Sequence, residues 1–163
     1  MGFTSTTLWL RSLFWAALAP GTVTLLIPYL IVTRWGPATV SHWGVTQFLG
    51  LALVLTGAGL LVHCIWNFAA IGRGTLSPLD APRRLVVNGL YRYTRNPMYV
   101  SVLTVLLGEA LLFQSLVLLG YAGAWFGLVH LVIVFYEEPV LRRQFGPSYR
   151  SYCRQVGRWL PRR

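Results

Sequence analysis

Residues 89–100, GLYRYTRNPMYV, bring Arg92, Arg95, Asn96, Pro97 and the tyrosines Tyr91, Tyr93 and Tyr99 to the entrance of an apolar run, and Glu137-Glu138 stands at the end of a later one. These residue types have complementary chemistry. Guanidinium groups recognise carboxylates, carboxylates hold ammonium groups, and aromatic faces attract soft cations. Each also has a plainer use: arginines bind lipid phosphate, tyrosines form the interfacial belt, and proline suits the first turn of a helix. Two adjacent acids at the end of a lipid-embedded helix are costly unless they are paired or used. The functional reading therefore depends on whether the two segments meet.

The elements that must position them are membrane helices. Of 163 residues, 55% are hydrophobic and 11% charged, against about 25% charged in ordinary globular proteins. Apolar runs long enough to cross a hydrocarbon core of about 30 Å recur. The expectation is an all-α integral membrane fold with four transmembrane helices, over about 8–32, 45–71, 98–113 and 116–137. Pro20-Gly21 interrupts the first, where a kink is expected. Trp35 and Trp43 flank a turn-rich connector as interfacial anchors. The last two spans, broken only by Gln114-Ser115, form a tight hairpin. Two legs of about twenty residues at 1.5 Å per residue return Glu137 to the depth of Pro97. By the same counting His130 lies about two turns deeper, level with Tyr99 to Thr104, and Glu109 falls near the far end, where Arg34 or water would satisfy it.

Beyond the hairpin, Leu141, Phe145, Tyr149, Tyr152 and Val156 share one helical face, with arginines largely elsewhere. This predicts amphipathic C-terminal helices over about 139–157, divided at Gly146-Pro147 and lying on the headgroups above the site. The chain reads as one domain, 1–163. Its net charge of +10 comes wholly from arginine, clustered in the 73–95 loop and the C-terminal tail beside apolar segments. That is the positive-inside pattern and not a nucleic-acid footprint, so the polar loop and the C-terminus are expected on the cytosolic side. Cys64 and Cys153 have no paired spacing and read as packing residues, and no metal site is expected. Gly57 and Gly59, in LTGAGLL, read first as helix-packing residues.

A convergent pocket with carboxylates, a guanidinium and aromatic faces suits S-adenosylmethionine, which carries an ammonium, a carboxylate and a sulfonium. GLYRYTRNPMYV, followed by YEEPVLRRQFGPSYRSYCRQVGRWLP, resembles the isoprenylcysteine carboxyl methyltransferases and the related phospholipid methyltransferases over roughly residues 72–163. That resemblance implies a membrane-embedded enzyme using S-adenosylmethionine, with the cofactor entering from the cytosol and a lipophilic acceptor from the bilayer. It implies a pocket formed by Tyr91, Arg95, Asn96, Pro97, Met98 and Tyr99, with Glu137 and Glu138 matching the acidic pair associated with cofactor binding. His130 is equally suited to a hydrogen-bonded core position and to the cofactor.

The acceptor is drawn in two directions. Asn96 stands where the carboxyl methyltransferases usually have His. The phosphatidylethanolamine methyltransferases are more similar there, and they also carry a Gly-x-Gly about eighty residues before the acids, as Gly57 and Gly59 stand here. Arg95 instead suits a carboxylate. The sequence reading takes Arg95 and Asn96 as catalytic, orienting a carboxylate acceptor for in-line attack on the methyl group, with amine or thiol acceptors as alternatives. A membrane reductase and a non-enzymatic lipid-binding subunit are the competing classes.

Overall fold

The computed structural model describes residues 18–35, 43–72 and 85–162, with the side chains of 68–72 excepted. The start of the first expected span, Arg73, Arg83 and Arg84, and much of the first connector lie outside them. The described residues form four helices: α1 Leu18–Trp35, α2 Val45–Gly72, α3 Pro97–Leu112 and α4 Leu116–Gln155. The described residues hold no strand; one isolated bridge pairs Thr94 with Gly157.

Three of the four helices are long and apolar enough to cross a membrane. The exception is α3, whose 16 residues span only about 24 Å. Pro97 fixes its start. At its end the chain turns at Gln114, with φ +48°, and Ser115 caps α4 by accepting from the Leu118 amide. The Gln114 side chain ties this turn to Thr46 on α2. Exposed Leu25, Phe48, Leu55, Leu128 and Phe135 give the helices an apolar exterior of the kind lipid covers.

α2 and α3 approach backbone to backbone. A Cβ on Gly50 would lie 2.6 Å from Leu112 N, one on Gly57 2.9 Å from Ser101 O, and one on Gly108 2.7 Å from Val54 N. Gly50, Gly57 and the fully buried Cys64 repeat every seven residues, so one stripe of small side chains faces α3. Val102, Leu106 and Ala122 join α3 to α4, and Ile31, Ala110 and Leu118 bring in α1.

Two turns of π-helix interrupt the longer elements, at Thr22–Leu26 and Ile133–Glu137. Each ends two residues before a proline, Pro28 and Pro139. These prolines lack the N–H that would reach the carbonyls of Thr24 and Phe135, and their rings crowd those carbonyls, so the preceding turn widens. The irregularity expected at Pro20-Gly21 thus takes the form of a π turn just after it, with Thr24 Oγ1 donating to Pro20 O at 2.8 Å. The wider turn at 133–137 admits one extra residue, rotating the rest of α4 by about 100°.

The segment 139–157 continues from the fourth span through the π turn, and Gly146, with φ +52° and ψ −121°, divides it into two helices at the expected Gly146-Pro147 position. A side chain there would be strained, which explains the glycine. The apolar face of this continuation packs on the protein: Tyr149, Tyr152 and Val156 form a core with Leu85, Leu141 and Phe145.

The glycine contacts predict opposite outcomes for two neighbours. Gly57→Leu must push α3 away and should cost about 1–3 kcal/mol. Gly59 meets nothing within 4 Å, so Gly59→Leu should leave the thermal unfolding midpoint in detergent unchanged.

Candidate functional site

The polar loop passes the end of α2 at Gly89, whose φ of +61° strains any side chain and where a Cβ would lie 2.8 Å from Asn67 Nδ2. One turn of 3₁₀-helix, Gly89–Arg92, comes next. Residues 94–96 then run beside the C-terminal segment. Arg95 N donates to Gly157 O at 2.9 Å, and Arg158 O accepts both from Thr94 Oγ1 at 2.9 Å and from Asn96 Nδ2 at 3.1 Å. A strap made of residues 156–159 is thereby stitched to the entrance of α3.

The carboxylate of Glu138, buried, lies at the centre of this junction. Arg95 Nη1 donates to Oε1 at 2.9 Å; Arg158 donates from Nε to Oε1 at 2.7 Å and from Nη2 to Oε2 at 3.1 Å; Arg142 Nη2 reaches Oε2 at 3.5 Å. The Arg158 pair is a two-pronged fork, the geometry in which guanidinium and carboxylate bind best. Glu138 in turn holds the Arg158 guanidinium above its usual range, mainly through these hydrogen bonds. Arg95 Nη1 also donates to Cys153 Sγ at 2.9 Å.

Glu137 has a different setting. Half-buried, it accepts from Tyr99 OH at 3.1 Å, and among the described residues no arginine forms an ion pair with it. The Tyr99 ring lies 6.3 Å from that of Trp125. Burial pushes the Tyr91 phenol above the ordinary range, and the Glu137 carboxylate adds to the shift, so it stays a neutral ring. Tyr152 OH fixes this turn by donating to Tyr91 O at 2.7 Å.

The remaining expected residues are distributed around these two carboxylates. Pro97 is buried as the first residue of α3, and Met98 is half-buried beside it. His130 Nδ1 accepts from Trp159 Nε1 at 3.2 Å, and the two rings stack beside Phe126. His130 is thus joined to the C-terminal strap, with its other nitrogen left as the N–H donor when the ring is neutral. Gly57 is consumed by the α2–α3 contact, while Gly59 faces open space. Glu109 is buried with Oε2 unpartnered, and among the described residues no ion pair joins it to Arg34. Among the described residues, no group of His, Cys, Asp and Glu could hold a metal.

Sequence reasoning counted Arg158 only as one of the tail arginines and Tyr152 only as part of an apolar helical face, and gave no role to Trp125 or Trp159. The signal available for Arg158 and Trp159 was their place in GRWLP, at the end of the tail.

Such an arrangement can hold a cation between Glu137 and the Tyr91, Tyr99 and Trp125 rings, beside a strongly basic junction. A family model described as phospholipid methyltransferase matches residues 45–148, from the start of α2 through the bend in α4. No curated protein and no solved structure matches the chain.

The two acids should respond differently to substitution. Glu138→Ala leaves the enclosed Arg95 without its carboxylate and should lower stability by roughly 3 kcal/mol. Glu137→Gln keeps a group able to accept from Tyr99 and should cost less than about 1 kcal/mol. Thermal unfolding of both variants in detergent checks the contrast.

Proposed function

Because the chain belongs to the phospholipid methyltransferase family, and is therefore a membrane methyltransferase whose methyl donor is S-adenosylmethionine, we propose that its acceptor is the amine of a lipid headgroup. A single observation carries this choice. Arg95, the residue that suited a carboxylate acceptor, is occupied by Glu138, whereas among the described residues Glu137 is engaged by Tyr99 and by no arginine. An amine acceptor matches a free carboxylate; a carboxylate acceptor matches a free guanidinium. The family match also removes the reductase and the non-enzymatic subunit readings.

The chain's own groups fit the cofactor. Tyr91, Tyr99 and Trp125 offer aromatic faces for a sulfonium, and Glu137 offers a carboxylate for an ammonium. S-adenosylmethionine supplies a methyl group activated for displacement by its bond to sulfur. The protein then has to bring the amine lone pair in line with that methyl and exclude water. Lipid amines are protonated near neutral pH, so a proton must leave before attack. Glu137 is positioned to draw the ammonium in and, with Tyr99, to take part in that proton's departure. Arg95 and Asn96, expected at the reacting atoms, act through the scaffold: one fixes Glu138, the other the strap carbonyl at Arg158.

In the proposed topology all four helices cross the bilayer. α3 and the first half of α4 run antiparallel, and the arginine-rich junction and C-terminus face the cytosol. The short α3 suits this placement, because its polar entrance can sit below the headgroups within the cover of the strap.

Two measurements test the proposal. Labelled S-adenosylmethionine, presented with phosphatidylethanolamine, a farnesylated cysteine carboxylate and a long-chain thiol, should label the amine alone, and Glu137→Gln should lower that rate at least tenfold; labelling of the carboxylate overturns the amine assignment. A reporter fused to the C-terminus should be active only on the cytosolic side, and external activity would reverse the topology.

A further inference from the structure

The junction around Glu138 is not electrically balanced. Three guanidinium groups share one carboxylate, which leaves two positive charges in excess. This excess is not all on open surface: the side chains of Arg142, Arg158 and Arg95 are 60%, 30% and 12% exposed. Arg95 Nε is buried and has no hydrogen-bond partner. A buried charged donor without an acceptor is unfavourable, and like charges this close repel where screening is weak. Glu137, hydrogen-bonded to Tyr99, brings at most one further negative charge, so the junction stays positive.

We propose that the Arg95, Arg142 and Arg158 cluster is the binding site for a second anionic group, a carboxylate or phosphate carried by a molecule in the adjacent methyl-transfer site. The inference rests on the methyltransferase reading above. Since Glu137 and Glu138 are consecutive, the cation-holding and anion-holding sites adjoin. Together they suit a molecule with an ammonium and an anionic group a few bonds apart. Two such anions enter the reaction: the cofactor's carboxylate and the acceptor lipid's phosphodiester. Arg142, with the longest bond to Glu138 and the greatest exposure, is the member free to turn towards it, while the buried Arg95 adds its positive charge from behind.

The test uses the full chain in maltoside detergent and the variants Arg142→Gln and Arg142→Lys, which change an exposed side chain. Calorimetry compares S-adenosylhomocysteine with its decarboxylated analogue. Kinetics compare phosphatidylethanolamine with a long-chain alkylamine that lacks phosphate. A tenfold or greater preference for the carboxylated nucleoside, lost in Arg142→Gln and kept in Arg142→Lys, identifies the cofactor's carboxylate as the anion. A KM for phosphatidylethanolamine raised at least tenfold in Arg142→Gln, with S-adenosylhomocysteine affinity unchanged, identifies the lipid phosphate. Equal behaviour of wild type and Arg142→Gln in both comparisons overturns the proposal.

Inorganic phosphate gives a readout independent of methyl transfer. At matched ionic strength it should raise the thermal midpoint of wild type more than that of Arg142→Gln. A phosphate effect in a protein that binds no S-adenosylhomocysteine keeps the anion site and removes the methyltransferase reading. Cofactor binding without any phosphate effect, and without a change in either Arg142 comparison, does the reverse.

Discussion

The buried carboxylate of Glu138 is the constraint on which the rest of the site depends. It draws together three stretches that are far apart in the chain: Arg95 from the entrance of α3, Arg142 from the next turn of α4, and Arg158 from the C-terminal strap. A carboxylate in this position is tolerable only when its lone pairs are occupied, and here each oxygen accepts two hydrogen bonds. Once Arg158 is held, its carbonyl is available to Thr94 and Asn96, and Trp159 comes to rest against His130. One ion-pair junction thus fixes the roof, the entrance loop and the end of a helix at once.

That junction needs the helices to deliver its members at one depth and one orientation. Depth comes from the α2–α3 contact and the short turn at Gln114, which fix where α3 ends and α4 begins. Orientation comes from the π turn before Pro139. Without its extra residue, everything from Glu138 onward would point about 100° away, and the arginines of the continuation would not face Arg95. A proline that weakens the helix locally is therefore part of what assembles the site.

Much of this was legible in the chain itself. Counting two legs of about thirty ångströms put Glu137 and Pro97 at one level, and Tyr99, one turn into α3, is hydrogen-bonded to Glu137. The family could be read from the same motifs because their order and separation are written along the sequence. Other features left weaker traces. Gly50 and Gly108 look like any small residues in an apolar run, since their use depends on which helix lies opposite. The apolar face of residues 141–156 has the periodicity of a membrane-surface helix, yet Leu85 and the loop cover it; periodicity shows that a face is buried and not against what. Pro139 lies two residues beyond the expected end of its span, and the helix continues through it.

The choice between acceptors turned on a similar point. Sequence presents Glu137 and Glu138 as a pair and Arg95 as a cation awaiting a carboxylate. In three dimensions Arg95 finds its carboxylate within the protein, and the pair separates into a structural acid enclosed by guanidinium groups and a second acid facing tyrosine and tryptophan rings. Adjacent residues on a helix point about 100° apart, so two identical side chains in sequence can meet opposite electrostatic surroundings. Glu138 is bound too tightly to exchange partners with a passing ligand. Glu137 is held by one phenol, beside a junction in which guanidinium groups outnumber the carboxylate.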